Sequence, residues 1–281
     1  MEGIIAALVV PFHENGKIDE QGLRNIVRFN IDVNHIDGFY VNGSTGENFL
    51  ISTDEKKQIL EIVKDEAKND VHLIAQIGSI NLYEAVELGQ FATELGYSCL
   101  SAVTPFYYNF SFEEIRDYYM TIVNETQNNM LIYSMPSFTG VDMSLKHFGD
   151  LLKNNKVIGV KYTNSDFFLL ERLRKMFPEK LIFSGFDEML LSASVLGVNG
   201  AIGSTFNINA KRAKEIFQFA KSGQIEEARK IQHETNDLIE KILQLGIYQT
   251  IKEILAVKGV ITVSSCRKPF KGFDQRKREQ V

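Results

Sequence analysis

Residues 157–163 read VIGVKYT. Val157, Ile158, Gly159 and Val160 form an apolar run without polar alternation, the pattern of a strand covered on both faces. Such strands belong to parallel sheets wrapped by helices, so this stretch argues for an α/β architecture. It also poses a chemical question, because Lys161 follows the run directly. Either the strand has reached water and the ammonium is solvated, or the amine is held in a dry strand end. In the second case its pKa falls and it becomes a nucleophile. Position alone leaves both readings open.

Working outward, seven similar runs recur: IIAALVV, GFYVNG, HLIAQIG, CLSAVTP, MLIYSMP, LIFSG and GAIGST. Between most of them lies a segment with helical periodicity, and the early repeat of about thirty residues is the length of a βα unit. Two helix starts are spelled out. Ser52 with Glu55, and Ser111 with Glu114, have the spacing of a capping box. After the first, Ile59, Leu60, Ile62, Val63 and Ala67 make one apolar stripe. Eight units without a break in composition predict a closed (β/α)8 TIM barrel. Beyond the eighth strand, residues 210–223, 224–246 and 247–259 read as consecutive helices. The expected organisation is a barrel core over residues 1–208 and a helical C-terminal extension over 209–281, packed together as one structural unit.

The 281-residue length suits a single barrel, and 44% hydrophobic with 24% charged residues is ordinary for a globular chain. A net charge of −5 offers no basic surface for nucleic acid or anionic lipid. The short basic run 276–278 reads as a solvated end. Cys99 and Cys266 have neither metal nor redox spacing, which fits a reducing compartment. The opening MEGIIAALVVPF lacks a positive leader region, and its apolar run is too short to span a bilayer. A soluble cytoplasmic protein with no membrane partner is expected. His13, His35, His72, His147 and His233 are scattered, so no metal is expected.

In such barrels the reactive groups project from the C-terminal ends of the strands. The second strand runs into Gly43-Ser44-Thr45-Gly46-Glu47. That turn offers N–H and O–H donors to a small carboxylate, and reads equally as an ordinary connection. Tyr133 closes the fifth strand, either as a core aromatic or as a proton shuttle beside the amine. Thr163 lies two residues past Lys161, on the same face of a strand. Gly185, Asp187 and Glu188 follow the seventh strand, where the acids suit polyol hydroxyls or simply a helix N-terminus. Gly203, Ser204 and Thr205 end the eighth. Tyr107 and Tyr108, just past the fourth strand, suggest a contact surface with another subunit. An amine, a phenol, hydroxyls and two carboxylates, with no flavin, nicotinamide or metal motif, suit carbonyl chemistry through an imine.

In order along the chain, GSTGE, SAVTPFYYNFSFEE, IYSMP, GVKYT, GFDE, GSTFN and CRKPF resemble the N-acetylneuraminate lyase and dihydrodipicolinate synthase superfamily, over nearly the whole length. SAVTPFYYNFSFEE and CRKPF resemble the lyase branch. The synthase branch carries an arginine shortly after the strand-five proline, whereas residues 136–140 read PSFTG. The resemblance implies a class I aldolase that cleaves N-acetylneuraminate reversibly to N-acetyl-D-mannosamine and pyruvate, without a cofactor. It implies that Lys161 forms the Schiff base and Tyr133 relays the C4 hydroxyl proton. Ser44 and Thr45 would hold the pyruvate carboxylate, and Thr163, Gly185, Asp187, Glu188 and Ser204 the polyol chain. Tyr107 would reach a neighbouring subunit's site in a homotetramer. One departure is Ser134, where the family usually has asparagine. Two other expectations are compatible with the motifs: a related pyruvate-dependent aldolase or synthase such as dihydrodipicolinate synthase, or a non-catalytic relative that binds a sugar or keto acid.

Overall fold

The apolar runs form strands because each presents β-branched and other apolar side chains to both faces, one inward and one toward helices. A computed structural model describes residues 1–280. The strands are β1 (Gly3–Ala7), β2 (Gly38–Val41), β3 (His72–Gln76), β4 (Cys99–Val103), β5 (Met130–Ser134), β6 (Val157–Tyr162), β7 (Leu181–Ser184) and β8 (Gly200–Gly203). Each pairs parallel with the next, and β8 pairs with β1, so the sheet closes into the expected eight-stranded barrel.

The helices in chain order are α1 (Glu20–Asp32), α2 (Thr53–Ala67), α3 (Leu82–Glu94), α4 (Phe112–Thr126), α5 (Pro136–Thr139) and α6 (Leu145–Leu152). After β6 come α7 (Phe167–Met176), α8 (Leu190–Val195), α9 (Phe206–Lys221), α10 (Ile225–Leu245) and α11 (Ile247–Val257). Both capping boxes form. Ser52 and Glu55 start α2, and Ser111 and Glu114 start α4, each pair exchanging side-chain and backbone hydrogen bonds. The helix α9 runs across positions 208 and 209, with one non-helical residue at Asn209, and packs on β1. Asn207 at its start donates to the Ala7 carbonyl at 2.7 Å and accepts from Val9 N at 3.3 Å. No helix of the described residues is long and apolar enough to cross a membrane.

Two apolar layers follow from the pleat. Along β1, Ile5 and Ala7 face the barrel interior, whereas Ile4 and Ala6 face the helices. The interior layer also holds Tyr40, Ile74, Cys99, Val103, Leu131, Tyr133, Phe183 and Ile202. The register sets Val103 beside Tyr133, Tyr133 beside Lys161, and Lys161 beside Phe183. Registered neighbours in a parallel sheet point to the same face, so the phenol and the amine are brought together inside the barrel by strand pairing alone.

The chain after α11 returns to the barrel mouth. Lys252 on α11 and Glu47, at the end of the GSTGE turn, are both fully buried and ion-paired. Lys252 Nζ also donates to the Ser265 carbonyl at 3.0 Å, and Arg267 N donates to Glu47 Oε2 at 2.6 Å. The Arg267 guanidinium pairs with Glu55 of α2. One buried carboxylate thus ties the second strand's loop to the C-terminal segment. A buried charge that loses its partner is far more costly than the pair itself. Lys252→Met is expected to lower the unfolding free energy by about 3–5 kcal/mol, with Glu47→Gln in the same chain restoring part of the loss. Denaturant titration of the parent and the two variants checks this. A loss below about 1 kcal/mol in the single variant would mean that Glu47 finds other partners.

Candidate active site

Nine side chains and backbone positions from five strand ends meet at one cavity of about 240 Å³. They are Ser44, Thr45, Tyr133, Lys161, Thr163, Gly185, Asp187, Glu188 and Ser204. Ala7, Met135, Phe138, Ile202, Thr205 and Tyr248 help to line it. The mouth is where the strands' C-terminal ends stop, so each loop contributes one or two groups.

Lys161 is 5% exposed. Its surroundings are aromatic: Nζ stands 3.9 Å from the centre of the Tyr133 ring and 4.1 Å from that of Tyr40. Burial pushes its pKa down to about 7, and the Asp187 carboxylate, acting through space, opposes that fall. A large fraction of the amine is therefore unprotonated near neutrality, which resolves the opening question in favour of a dry strand end. Tyr133 is buried too, and its hydroxyl donates to Met135 Sδ at 2.9 Å. Burial raises this phenol well above its usual value, with the nearby Ser44 hydroxyl offsetting part of the effect. It holds its proton at neutral pH and ionises only if another group takes that proton.

Asp187 is 7% exposed, and its Oδ2 accepts from Thr205 N at 2.8 Å and Thr205 Oγ1 at 2.6 Å. Burial moves its pKa up to about 6 against those hydrogen bonds and against Lys161. Gly203 makes room for it, since a Cβ there would stand 1.7 Å from Asp187 Oδ1. Thr45 Oγ1 and Ser204 Oγ share a hydrogen bond of 2.7 Å, which joins the loops after β2 and β8. Thr163 Oγ1 is buried with no hydrogen-bond partner among the described residues, and it lines the cavity. Glu188 is exposed at the rim.

Tyr107 lies apart from this cluster. It is 81% exposed, adopts φ +78°, and meets Tyr108 edge to face at 5.0 Å. A second, apolar cavity of about 290 Å³ shares Ser44, Tyr133, Met135, Phe138 and Tyr248 with the first, so Tyr133 stands between the two. Tyr162, next to the amine, points the other way. It packs against Phe148, and its hydroxyl donates to the Asp166 carbonyl at 2.8 Å. Among the described residues no three His, Cys, Asp or Glu side chains gather as a metal ion would require.

The dihydrodipicolinate synthetase family model matches residues 1–281. This chain belongs to that family. It is 65% identical over 279 residues to the N-acetylneuraminate lyase of Fusobacterium nucleatum subsp. nucleatum, covering 99% of this chain and 96% of the relative. Its fold superimposes with a TM-score of 0.98 on CdNal from Clostridium difficile in complex with mannosamine, at 59% identity, covering 100% of this chain and 96% of that one. The Fusobacterium nucleatum N-acetylneuraminate lyase complexed with pyruvate gives a TM-score of 0.95 at 64% identity, covering 99% of this chain and 94% of that one. The family's barrel and its C-terminal helices are both present here.

Several residues at the site escape a reading by strand ends. Tyr40 sits inside β2 rather than after it, and only its place in GFYVNG, three residues before the turn, hints at the mouth. Tyr248 and Phe138 reach the cavity from α11 and α5. Lys252 is a buried lysine on α11, beside the buried Glu253, and nothing in IYQTIKEILAV marks either as buried.

The depressed pKa of Lys161 links folding to pH. Between about pH 7 and the ordinary value of 10.5, the unfolded chain binds a proton at this position that the folded chain does not. The contribution of Lys161 to stability is thus complete above that window and is lost as the pH falls towards 7. Lys161→Met is expected to remove this slope and to stabilise the protein most below pH 7. Melting temperatures of both proteins from pH 6 to 10 check it, and parallel curves would mean that the amine titrates normally.

Proposed function

We propose that this protein is a Schiff-base aldolase that cleaves N-acetylneuraminate reversibly to N-acetyl-D-mannosamine and pyruvate. The observation that carries the reading is Lys161 in register with Tyr133, dry, and with its amine largely free at neutral pH. Its likeness to named N-acetylneuraminate lyases over nearly its full length supports the choice of substrate.

In the cleavage direction the Lys161 amine attacks the C2 carbonyl of the open-chain sugar acid, and water leaves to give a protonated imine. The C4 hydroxyl then passes its proton to Tyr133 while the C3–C4 bond breaks. Its electron pair moves into the imine and leaves an enamine on Lys161, and the C4 oxygen becomes the aldehyde of N-acetylmannosamine. Protonation of C3 and hydrolysis of the imine release pyruvate and restore the amine. The imine is itself the electron sink, so the reaction requires no separate cofactor. Because the Tyr133 phenol is held protonated, it first gives its proton to the hydroxyl that leaves C2 as water, and the resulting phenolate, eased by the nearby Ser44 hydroxyl, then accepts the C4 proton.

The other roles follow the donor set. Ser44 and Thr45 hold the pyruvate carboxylate with hydroxyl and backbone N–H donors. The unpartnered Thr163 hydroxyl, the Asp187 carboxylate, Glu188, Ser204 and the Gly185 backbone take the sugar's hydroxyl chain. Tyr107, exposed on its loop, reaches the apolar cavity beside Tyr133 in a neighbouring copy, in a cytoplasmic homotetramer. Residues 1–208 are the barrel unit and 209–281 the extension packed on it, of which residue 281 lies outside the described residues.

Incubation with pyruvate and borohydride is expected to add a reduced pyruvate adduct to Lys161, located by mass spectrometry; an unmodified Lys161 would sink the mechanism. Pyruvate release from N-acetylneuraminate then tests the substrate, and an adduct without that release would point to a different aldehyde partner. Tyr133→Phe is expected to keep the adduct while losing about 10²–10⁴-fold in kcat, the usual scale for a lost proton relay. Unchanged turnover would remove Tyr133 from the mechanism.

A further inference from the structure

The group nearest the reacting amine that this chemistry leaves unused is Tyr40. It is fully buried on β2, with its ring 4.1 Å from Lys161 Nζ. Its hydroxyl is tied across the barrel to Ser101 Oγ on β4 at 2.9 Å, so its O–H is engaged away from the amine. What it presents to Lys161 is the ring. The same ring meets Tyr133 edge to face, with centroids 6.0 Å apart at 79°. It also supports the start of the GSTGE turn: a Cβ on Gly43 would stand 2.9 Å from Tyr40 Cδ1 and 3.0 Å from Cε1. One side chain therefore touches the amine, the phenol and the backbone that carries Ser44 and Thr45.

We propose that the face of Tyr40 is the fixed partner for the positive charge on Lys161, first as ammonium and then as protonated imine, and that it sets the height of the Ser44–Thr45 turn over that nitrogen. The proposal rests on the Schiff-base reading of Lys161. A carboxylate in contact with the amine would hold it as ammonium and prevent attack. An aromatic face attracts a cation more weakly, so it tolerates the iminium while leaving the amine able to deprotonate near neutrality. The other groups facing this nitrogen are Tyr133 from β5 and, after β7, Asp187, which acts through space, with Glu188 beside Asp187. Cys99 on β4 lies near Tyr40 in the same interior layer. These groups stay constant when only the ring at position 40 is altered.

The test uses the full chain with Tyr40→Phe, then mono-, di- and trifluorinated phenylalanine at that position, and Tyr40→Leu. Fluorine drains the ring's negative face at nearly constant size. The readout is the pH midpoint for trapping Lys161 with pyruvate and cyanoborohydride, with the adduct located by mass spectrometry. Weaker attraction for the cation lowers the amine's pKa, so the midpoint is expected to fall with each fluorine, by about one pH unit over the series. Tyr40→Phe is expected to stay near the parent and Tyr40→Leu to lie at the low end. A flat series, or Tyr40→Phe shifted as far as Tyr40→Leu, overturns the proposal while the parent still traps normally. No Lys161 adduct in the unaltered protein removes the Schiff-base reading, and this inference with it.

Discussion

Lys161 places an ammonium-forming group in the interior layer of a closed barrel, between two tyrosine rings and 5% exposed. Burial disfavours its charge, and that cost leaves much of the amine unprotonated near neutral pH. The same amine at a wet strand end would be protonated and inert at neutral pH. The remaining groups of the site are arranged around this nitrogen. The Tyr133 phenol is its registered neighbour, Asp187 balances its pKa from a distance, and hydroxyls from the loops after β2 and β8 join in the same cavity. The barrel supplies the dryness, and its strand pairing supplies the alignment.

A site assembled from five strand ends depends on its loops keeping their heights. Here the GSTGE turn is held from two sides. Tyr40 packs beneath Gly43, and Glu47 is clamped by Lys252 and the Arg267 backbone. The C-terminal helices thus act on the second strand's loop through a buried charge pair, a contact that works only if both partners are present. Barrel and extension are coupled at the functional end of the molecule, and a fault in the C-terminal segment would be felt at Ser44 and Thr45.

Much of the fold was legible because buried parallel strands leave uninterrupted apolar runs and capping boxes leave fixed spacings. VIGVKYT, GFYVNG and their counterparts each became a strand, and Ser52 and Ser111 each start a helix. The cavity was legible in part for a related reason: side chains at strand ends in a barrel converge, so Ser44, Tyr133, Lys161, Asp187 and Ser204 could be gathered by position. Tyr40 was not, because a tyrosine inside a strand reads as core until the register shows what its face covers. Lys252 was not, because a lysine in an amphipathic helix reads as solvated until its partner is known. Tyr107 was gathered by position and lies apart from this chain's cavity.

The sequence by itself determined the alternation of strand and helix, the number of units, and which residue types stand at the strand ends, since these depend on local periodicity and neighbouring residues. It also contained both candidate readings of Lys161 without deciding between them. Only the tertiary structure decided that the amine is dry, that Tyr133 is its registered neighbour, that Tyr40 lies against it, and that Glu47 is paired with a residue 205 positions away. Those facts arise from closing the sheet and folding the last helix back over the mouth. Desolvation and charge pairing are properties of the surroundings in space, and a linear chain does not record them.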